Sequence, residues 1–237
     1  MYFPWLGLFE QIRLADKYCH YDDVQLSRGF YNRVQLVRRQ KPKFISVPIK
    51  KRRQKQMICE SIVSNDSDWI SHHRSNLFES LGSAPYFSQA LSLFNHVHEK
   101  PQKFLHQINR KSILEVADYL NLTKNKQFFD SATLSTKHKS SGRLLEICKK
   151  LEAKIYLTGH GALKYLDHSL FEKNGIEVFY IRYRFSSYSK DGSEYTPFVS
   201  SLDPISYLGK DVRKSMNSQI VNWRDAIKNP RDLLPKY

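Results

Sequence analysis

The 237-residue chain carries 38 lysine and arginine residues against 23 aspartate and glutamate residues, a formal net charge of +15, and 41% of its residues are hydrophobic. That hydrophobic content excludes a disordered chain and is enough for one large domain or two small ones. The excess of positive charge predicts an anionic partner or substrate, which nucleic acid, anionic lipid or a phosphorylated small molecule would satisfy. Cys19, Cys59 and Cys148 are widely spaced and odd in number, so we expect reduced thiols rather than a disulfide framework or a structural zinc site.

The first residues, MYFPWLG, combine three aromatic side chains with Pro4. Glu10 and Arg13 interrupt the apolar run well before the roughly 18 residues of a membrane-spanning helix, and no later segment is apolar over that length. A positive n-region and a cleavage site for secretion are also missing. We therefore expect a cytoplasmic protein with no membrane span. Apolar residues recur at helical spacing from Trp5 to Ala15, which predicts an amphipathic helix beginning near Pro4.

Short strands and helices are predicted along the next part of the chain. Strand-like patterns cover residues 17–21, 34–37, 43–49 and 57–64. The densest basic run, residues 50–56, predicts a solvated loop, with phosphate binding or a nucleic-acid patch as alternatives. A helix follows over residues 65–82, capped by Asp66 or Ser67 and ended by Gly82. Residues 86–120 are helical in pattern, and residues 131–142 resemble a linker.

The last third alternates between helix and strand. Residues 142–151 and 170–175 predict helices, and residues 153–159 and 176–185 predict strands. A strand, a crossover helix and a second strand in this order favour a parallel unit. We therefore predict an α/β fold, a mostly parallel sheet flanked by helices with a helical middle segment. The predicted organisation is one domain over residues 1–208, with a helical insertion at about 86–130, and a basic polar tail over 209–237.

Two loops follow predicted strands, and ligands of open α/β sheets bind at the carboxyl ends of strands. The first loop holds Asp22 and Asp23, with Asn32 and Arg33 further on. Adjacent carboxylates can hold a metal or act as a base and its orienting partner, and Asn and Arg can grip a phosphate or carboxylate. The same aspartates could simply form a turn or a helix cap.

The second loop contains Thr158, Gly159, His160 and Gly161 after a predicted strand. The glycines would let backbone approach a ligand closely, and amide groups at the start of a helix bind anions. Thr158 offers a hydroxyl and His160 a titratable group. A turn with no ligand explains the same pattern equally well.

The histidines do not predict a metal site. His72 and His73 are adjacent, so on a helix they point about 100° apart, and His96 and His98 have no acidic partner at helical spacing. Solvated or internally hydrogen-bonded histidines are the better interpretation. Glycine fingerprints for nucleotides and the Gly-x-Ser-x-Gly elbow of hydrolases are absent as well, so we predict neither a cofactor nor a bound metal.

Four segments, in order, resemble the conserved blocks of the WbqC-like family, which occurs in bacterial gene clusters for O-antigen and other surface polysaccharides. The segments are YFPWLGLFEQIRLAD, YDDVQLSRGFYNRVQL, APYF and YLTGHGALKYLDHSLFEKNGIEVFY. The family's first block normally follows a short strand ending in Gln-Pro, which this sequence lacks before Tyr2. We therefore expect residues upstream of Met1 to complete both the sheet and the site.

The resemblance implies a cytoplasmic transferase of lipopolysaccharide synthesis that acylates or aminoacylates the amine of a nucleotide-linked amino sugar, using an acidic carrier protein as donor. Such a reaction needs a base and donors for an oxyanion. Asp22 or Asp23, or one of His72 and His73, is the candidate base. The amides from Gly159 to Gly161 would bind the diphosphate or stabilise the oxyanion.

Further substrate contacts are implied by the same resemblance. Arg33, with Asn32 beside it, would grip an anionic group, and Tyr165 and Asp167 would contact the sugar or nucleoside. Packing and capping of the local helix explain Tyr165 and Asp167 equally well.

Two other functions remain open from the residues alone. One is a non-catalytic binding protein whose basic surface docks nucleic acid or an acidic protein, and the other is a metal-dependent hydrolase. Nucleic acid is the less favoured partner.

Overall fold

The computed structural model describes residues 1–27, 29, 31–38, 41–50, 53–188 and 197–235, and of Arg38 only the backbone. The chain divides into two compact units, each assembled from three stretches. The first unit comprises Met1–Phe9, Asp22–Lys124 and Ser187–Ser215. The second unit comprises Glu10–Tyr21, Asn125–Ser186 and Met216–Tyr237.

Three strands follow the first helix, three helices come next, and from the strand Gln127–Asp130 onward strands and helices alternate along the described residues. The helices are α1 (Leu6–Leu14), α2 (Trp69–Leu81), α3 (Phe87–His98), α4 (Leu105–Tyr119), α5 (Ser140–Lys150), α6 (His168–Glu172), α7 (Leu202–Leu208) and α8 (Trp223–Lys228). The strands are β1 (Lys17–His20), β2 (Arg33–Arg38), β3 (Lys41–Ser46), β4 (Gln127–Asp130), β5 (Ile155–Thr158), β6 (Glu177–Arg182) and β7 (Gln219–Asn222). In the part of the chain that the structure describes, 3-10 turns lie at Ser131–Leu134, His160–Lys164, Gly209–Ser215 and Pro230–Leu233.

The first unit packs helices around an antiparallel hairpin of β2 and β3. Val34 lies opposite Ile45 in this hairpin, and both are buried on one face. Apolar residues at helical spacing give α2, α3 and α4 a buried stripe each, as their sequence periodicity predicts. The loop that contains Asp22 and Asp23 belongs to the same unit.

The second unit contains two small sheets. β1 and β4 pair in parallel, and in the other sheet β6 lies between β5, its parallel neighbour, and β7, its antiparallel neighbour. The predicted parallel pairing of the strands in the last third of the chain is therefore confirmed. The core of the second unit is apolar and includes Phe171, Val178 and Tyr180, together with Ala226 from α8 and Leu233.

The predicted α/β class is confirmed, but the described strands form small sheets rather than one large parallel sheet. One reason is that residues 57–64, predicted as a strand, begin with a turn. In that turn the amide of Ser61 donates to the Ile58 carbonyl at 3.1 Å, and the Ser61 hydroxyl donates to the Met57 carbonyl at 3.0 Å. These local bonds take the backbone groups that a strand would offer to a neighbour.

The structure can be compared with the helix boundaries predicted at the start and end of α2 and at Gly175. The predicted cap of α2 at Asp66 or Ser67 is wrong, because the Asp68 carboxylate accepts from the amide of Ser71 at 3.2 Å and caps the helix. The predicted end at Gly82 is confirmed. Gly175, predicted to end the helix over 170–175, adopts a φ of 71°, a conformation that favours glycine.

The C-terminal residues carry regular structure in both units. The 3-10 turn Gly209–Ser215 belongs to the first unit, and β7 and α8 belong to the second. The proposed boundaries at residues 208 and 86–130 remain predictions. Among the residues that the structure describes, no helix is long and apolar enough to cross a membrane.

Candidate functional site

The N-terminal aromatic block is part of the interior of the first unit. Tyr2 and Phe3 are buried, and Phe3 has a φ of 35°, which is unusual for a residue with a side chain. Two serines hold this backbone in place. The amide of Phe3 donates to Ser112 Oγ at 3.1 Å, and Ser200 Oγ donates to the Phe3 carbonyl at 3.2 Å. Strained residues of this kind cluster at functional sites, which makes the block a candidate.

The Tyr2 hydroxyl connects two histidines. It lies 3.2 Å from His73 Nδ1 and 2.9 Å from His98 Nε2, and His73 Nε2 lies 3.2 Å from the Ser46 carbonyl oxygen. Because a carbonyl only accepts, His73 Nε2 carries the proton and His73 Nδ1 accepts from the Tyr2 hydroxyl. The Tyr2 oxygen then accepts from His98 Nε2. We call Tyr2, His73 and His98 the Tyr–His network.

Burial keeps both histidines of the network neutral. Burial lowers the pKa of His73 to about 4, with His72 adding a smaller decrease. It lowers the pKa of His98 to about 3, an effect reinforced by His73, Lys111 and Arg74. Neutral His73 has the protonation state of a base, but its lone pair is engaged by the Tyr2 hydroxyl. Its role as the catalytic base therefore stays a prediction.

A small pocket lies beside the network. Its volume is about 30 Å³, and His98, Trp69, Asn65 and Lys100 are among its lining residues. A space of this size accommodates water but not a sugar. The pocket is therefore large enough for a water molecule beside His98, the more exposed histidine of the network.

Asp22 and Asp23 belong to a second cluster in the same unit. Asp22 is buried, and its Oδ2 accepts from Arg110 Nε of α4 at 2.6 Å. The Asp22 carbonyl accepts from the amide of Cys59 at 2.9 Å. Burial lowers the pKa of the Met1 amino group to about 6, and Asp22 partly offsets that decrease.

Cys59 is the member of this cluster that sequence reasoning missed as a site residue. Burial raises the pKa of the Cys59 thiol, and the nearby carboxylates of Glu60, Asp23 and Asp22 raise it further. A thiol in this environment stays protonated at neutral pH and is a weak nucleophile. Nothing in the spacing of Cys59 along the chain signals its place beside the aspartates.

Asn32 and Arg33 lie at the start of the hairpin. Asn32 Nδ2 donates to the Val47 carbonyl at 3.0 Å and so braces the hairpin base. The Arg33 guanidinium lies 4.2 Å from the centre of the Phe44 ring, and its buried Nε has no hydrogen-bond partner among the described residues. A buried N–H donor without an acceptor is costly, so Arg33 is suited to receive an anion.

The glycine loop lies in the second unit, after β5. A Cβ at Gly159 would lie 3.0 Å from the hydroxyl oxygen of Tyr183, which also accepts from Gln11 Nε2 at 3.2 Å. The close approach expected at Gly159 is therefore made by Tyr183. A Cβ at Gly161 would meet nothing within 4 Å. Burial, followed by Lys164, lowers the pKa of His160.

Beyond the glycines, Asp167 caps α6. Its Oδ1 accepts from the amide of Leu170 at 3.0 Å and from the Ser169 hydroxyl at 2.8 Å. The capping explanation therefore accounts for Asp167, and Tyr165 is exposed on the same turn.

The predicted site residues fall into both units. Those in the first unit are Asp22, Asp23, Asn32, Arg33, His72 and His73. Those in the second are Thr158, Gly159, His160, Gly161, Tyr165 and Asp167. His72 is exposed on α2, whereas its neighbour His73 is buried, as the expected angle between them requires. Within the described part of the chain, no three His, Cys, Asp or Glu side chains are grouped to hold a metal ion.

The fold and its buried polar clusters define a mixed α/β protein with a strained aromatic N-terminal block. The model of the WbqC-like protein family matches residues 1–215, and the chain belongs to this family. An uncharacterized protein of Mycobacterium tuberculosis, Rv1507c, is 26% identical over 214 residues, covering 89% of this chain and 91% of that protein. No solved structure matches the chain.

Proposed function

We propose that this protein is a cytoplasmic transferase of bacterial surface polysaccharide synthesis. It acylates or aminoacylates the amine of a nucleotide-linked amino sugar, and the donor is the thioester of an acidic carrier protein. Membership of the WbqC-like family supports the biological setting. The observation that carries the chemistry is the buried carboxylate of Asp22, held by Arg110 at 2.6 Å with Asp23 next to it.

In this reaction the sugar amine attacks the thioester carbonyl. The new C–N bond forms as Asp22 or Asp23 takes a proton from the attacking nitrogen. The C–S bond of the tetrahedral intermediate then breaks, and the proton passes to the departing carrier thiol. Arg110 fixes the position of the Asp22 carboxylate next to Asp23, and either aspartate remains a candidate to receive the proton.

Direct transfer is favoured over an acyl-cysteine intermediate. Cys59 is the thiol beside the aspartates, but burial and the neighbouring carboxylates raise its pKa and keep it protonated. A protonated thiol is a poor nucleophile. Cys59→Ser should therefore retain transfer activity.

Anion recognition is assigned to Arg33, whose buried Nε lacks a partner among the described residues. The net charge of +15 agrees with anionic substrates on both sides of the reaction, since nucleotide sugars and carrier proteins are negatively charged. The amides of Gly159 to Gly161 remain candidates for binding the diphosphate or the oxyanion.

The test is transfer of a radiolabelled acyl or aminoacyl group to a panel of nucleotide-linked amino sugars. Asp22→Asn and Asp23→Asn are compared with Asp211→Asn, a control at an exposed aspartate that pairs with Lys214. We expect turnover to be abolished by at least one change in the aspartate pair and unchanged in the control. Full activity in both Asp22→Asn and Asp23→Asn would overturn the site. Productive sugars are found first by thermal shift, because a ligand at a hundred times its Kd adds about 2.7 kcal/mol of stability.

The charge balance also favours a second candidate, a binding protein without catalysis. It predicts affinity for an anionic macromolecule that falls steeply with salt and survives Asp22→Asn. Retained binding without any transfer in that assay would favour this second function.

A further inference from the structure

We propose that Ser141, a buried serine of α5, positions Tyr165 to stack against the base of the nucleotide-linked substrate. The role of Ser141 follows from its hydrogen bonds to the turn that carries Tyr165, whereas the choice of a nucleotide as the ligand rests on the proposed function. Both residues belong to the second unit. Ser141 lies in the segment predicted as a linker from the sequence, but the structure places it in the first turn of α5, which begins at Ser140.

The Ser141 hydroxyl bridges two backbone groups that flank Leu166. Its Oγ donates to the Tyr165 carbonyl at 3.3 Å and accepts from the amide of Asp167 at 3.0 Å. Ser141 is 7% exposed, so water competes weakly for these two bonds. One side chain of α5 therefore fixes the turn at two successive peptide groups, and an alanine at this position would remove both bonds at once.

The backbone of Tyr165 is held in place while its side chain is exposed. The amides of Tyr165 and Leu166 both donate to the Ala162 carbonyl, at 3.1 and 2.9 Å. Ala162 and Leu166 are buried in the apolar core of the unit, whereas Tyr165 is 58% exposed. Core packing therefore does not explain an aromatic residue at this position, and Asp167 supplies the helix cap. A fixed backbone with an exposed ring suits ligand binding, because little conformational freedom is lost when the ligand binds.

The groups around Tyr165 suit a nucleotide. A tyrosine ring offers a flat face on which any base can stack. Lys164 precedes Tyr165 and is exposed. Burial, and then the charge of Lys164, lowers the pKa of His160, which places the ammonium near the loop of Gly159 to Gly161. The amides of that loop are candidates for the diphosphate, so base stacking and charge attraction would act on adjoining parts of one ligand.

Equilibrium binding of nucleotides tests the role of Ser141 without requiring turnover. UDP, dTDP, GDP and CDP are titrated into the full chain by isothermal titration calorimetry, at a temperature where circular dichroism shows each variant folded. Ser141→Ala is compared with Ser169→Ala, which removes a hydroxyl that donates to Asp167 Oδ1 at 2.8 Å in the same cap. We expect Ser141→Ala to weaken binding of the preferred nucleotide about ten-fold, the size of one base–aromatic stack, and Ser169→Ala to change it by less than about two-fold. Ser141→Thr keeps the hydroxyl and should restore binding.

A double-mutant cycle separates positioning from general support of the fold. If Ser141 acts through the Tyr165 ring, Tyr165→Ala should weaken binding by a similar factor, and Ser141→Ala should add little in the Tyr165→Ala background. Losses that multiply in the double variant would overturn the inference, because Ser141 would then act independently of Tyr165. Absence of binding by all four nucleotides, or a folded Ser141→Thr that binds no better than Ser141→Ala, would overturn it as well.

Failure of the proposed function gives a different result. Nucleotide binding that depends on Ser141 and Tyr165, without transfer to any amino sugar, would leave this inference standing and remove the proposed function. Transfer whose KM for the nucleotide sugar is the same in Ser141→Ala would leave the proposed function standing and remove the role of Ser141.

Discussion

The hydroxyl of Tyr2 lies 3.2 Å from Nδ1 of His73, and this contact sets the positions of the protons in a buried network. The Ser46 carbonyl requires a proton on His73 Nε2, so Nδ1 must accept from Tyr2. His98 then donates to the Tyr2 oxygen. His73 accepts from Tyr2 only while its imidazole is neutral, so protonation of His73 breaks that hydrogen bond, and burial disfavours the charged form of both rings.

Stability should therefore fall in acid. The pKa values of His73 and His98 are about 4 and 3 in the folded protein, below the ordinary value of 6.5. The unfolded chain binds protons first, so the stabilisation is fully present above about pH 6.5 and is lost as pH falls from there through about pH 4 toward about pH 3. The loss should be on the order of a few kcal/mol. Urea unfolding across this range measures it, and a His73→Gln/His98→Gln variant should show a smaller pH dependence. An unchanged dependence in that variant would contradict the prediction.

Tyr2→Phe should destabilise the protein by about 1–3 kcal/mol, because it leaves His73 Nδ1 as a buried acceptor with no donor. The matched control is Tyr86→Phe, which removes the hydroxyl of a tyrosine that is exposed in the same unit. Chemical denaturation of the two variants measures the difference. Equal stabilities would show that the Tyr2 hydroxyl makes no net contribution.

Gly159→Ala should be more destabilising than Gly161→Ala. A Cβ at Gly159 would lie 3.0 Å from the hydroxyl oxygen of Tyr183, whose bond to Gln11 limits its movement. At Gly161 the same atom meets open space. We expect about 1 kcal/mol between the two variants, measured as a difference in thermal midpoint. A Gly159→Ala variant as stable as Gly161→Ala would mean that Tyr183 shifts without cost.

The Asp22–Arg110 pair should show measurable coupling in a double-mutant cycle of Asp22→Asn and Arg110→Gln. The side chains of Arg110 and Asp22 are 23% and 12% exposed, so water screens them weakly. The Lys214–Asp211 pair, at 79% and 65%, is the exposed control. We expect a coupling energy of about 1–3 kcal/mol for the first pair and about 0–1 kcal/mol for the control. Similar values for both pairs would refute a special role for burial at Asp22.

Local signals predicted helices in the regions of α1 to α6, whereas α7 and α8 were not predicted. Long-range contacts explain other features that the local signals missed. The buried stripe and end of α2 were evident from periodicity and Gly82, because both act within the helix. β4 was missed because a four-residue strand depends on its partner β1, which is distant in sequence. The loop with Asp22 was found from its position after β1, whereas Arg110 and Cys59 reach it only through folding. The sequence carries no local signal for such neighbours.

The match to the WbqC-like family ends at residue 215, but the second unit does not. β7 and α8 come later, and Ala226 and Leu233 fill the same apolar core as Val178 and Tyr180. A recombinant fragment cut at residue 215 would remove one side of that core and uncover the β6 edge. The end of the family match at residue 215 is therefore not a suitable place to truncate the chain for expression. A recombinant fragment should extend through Leu233.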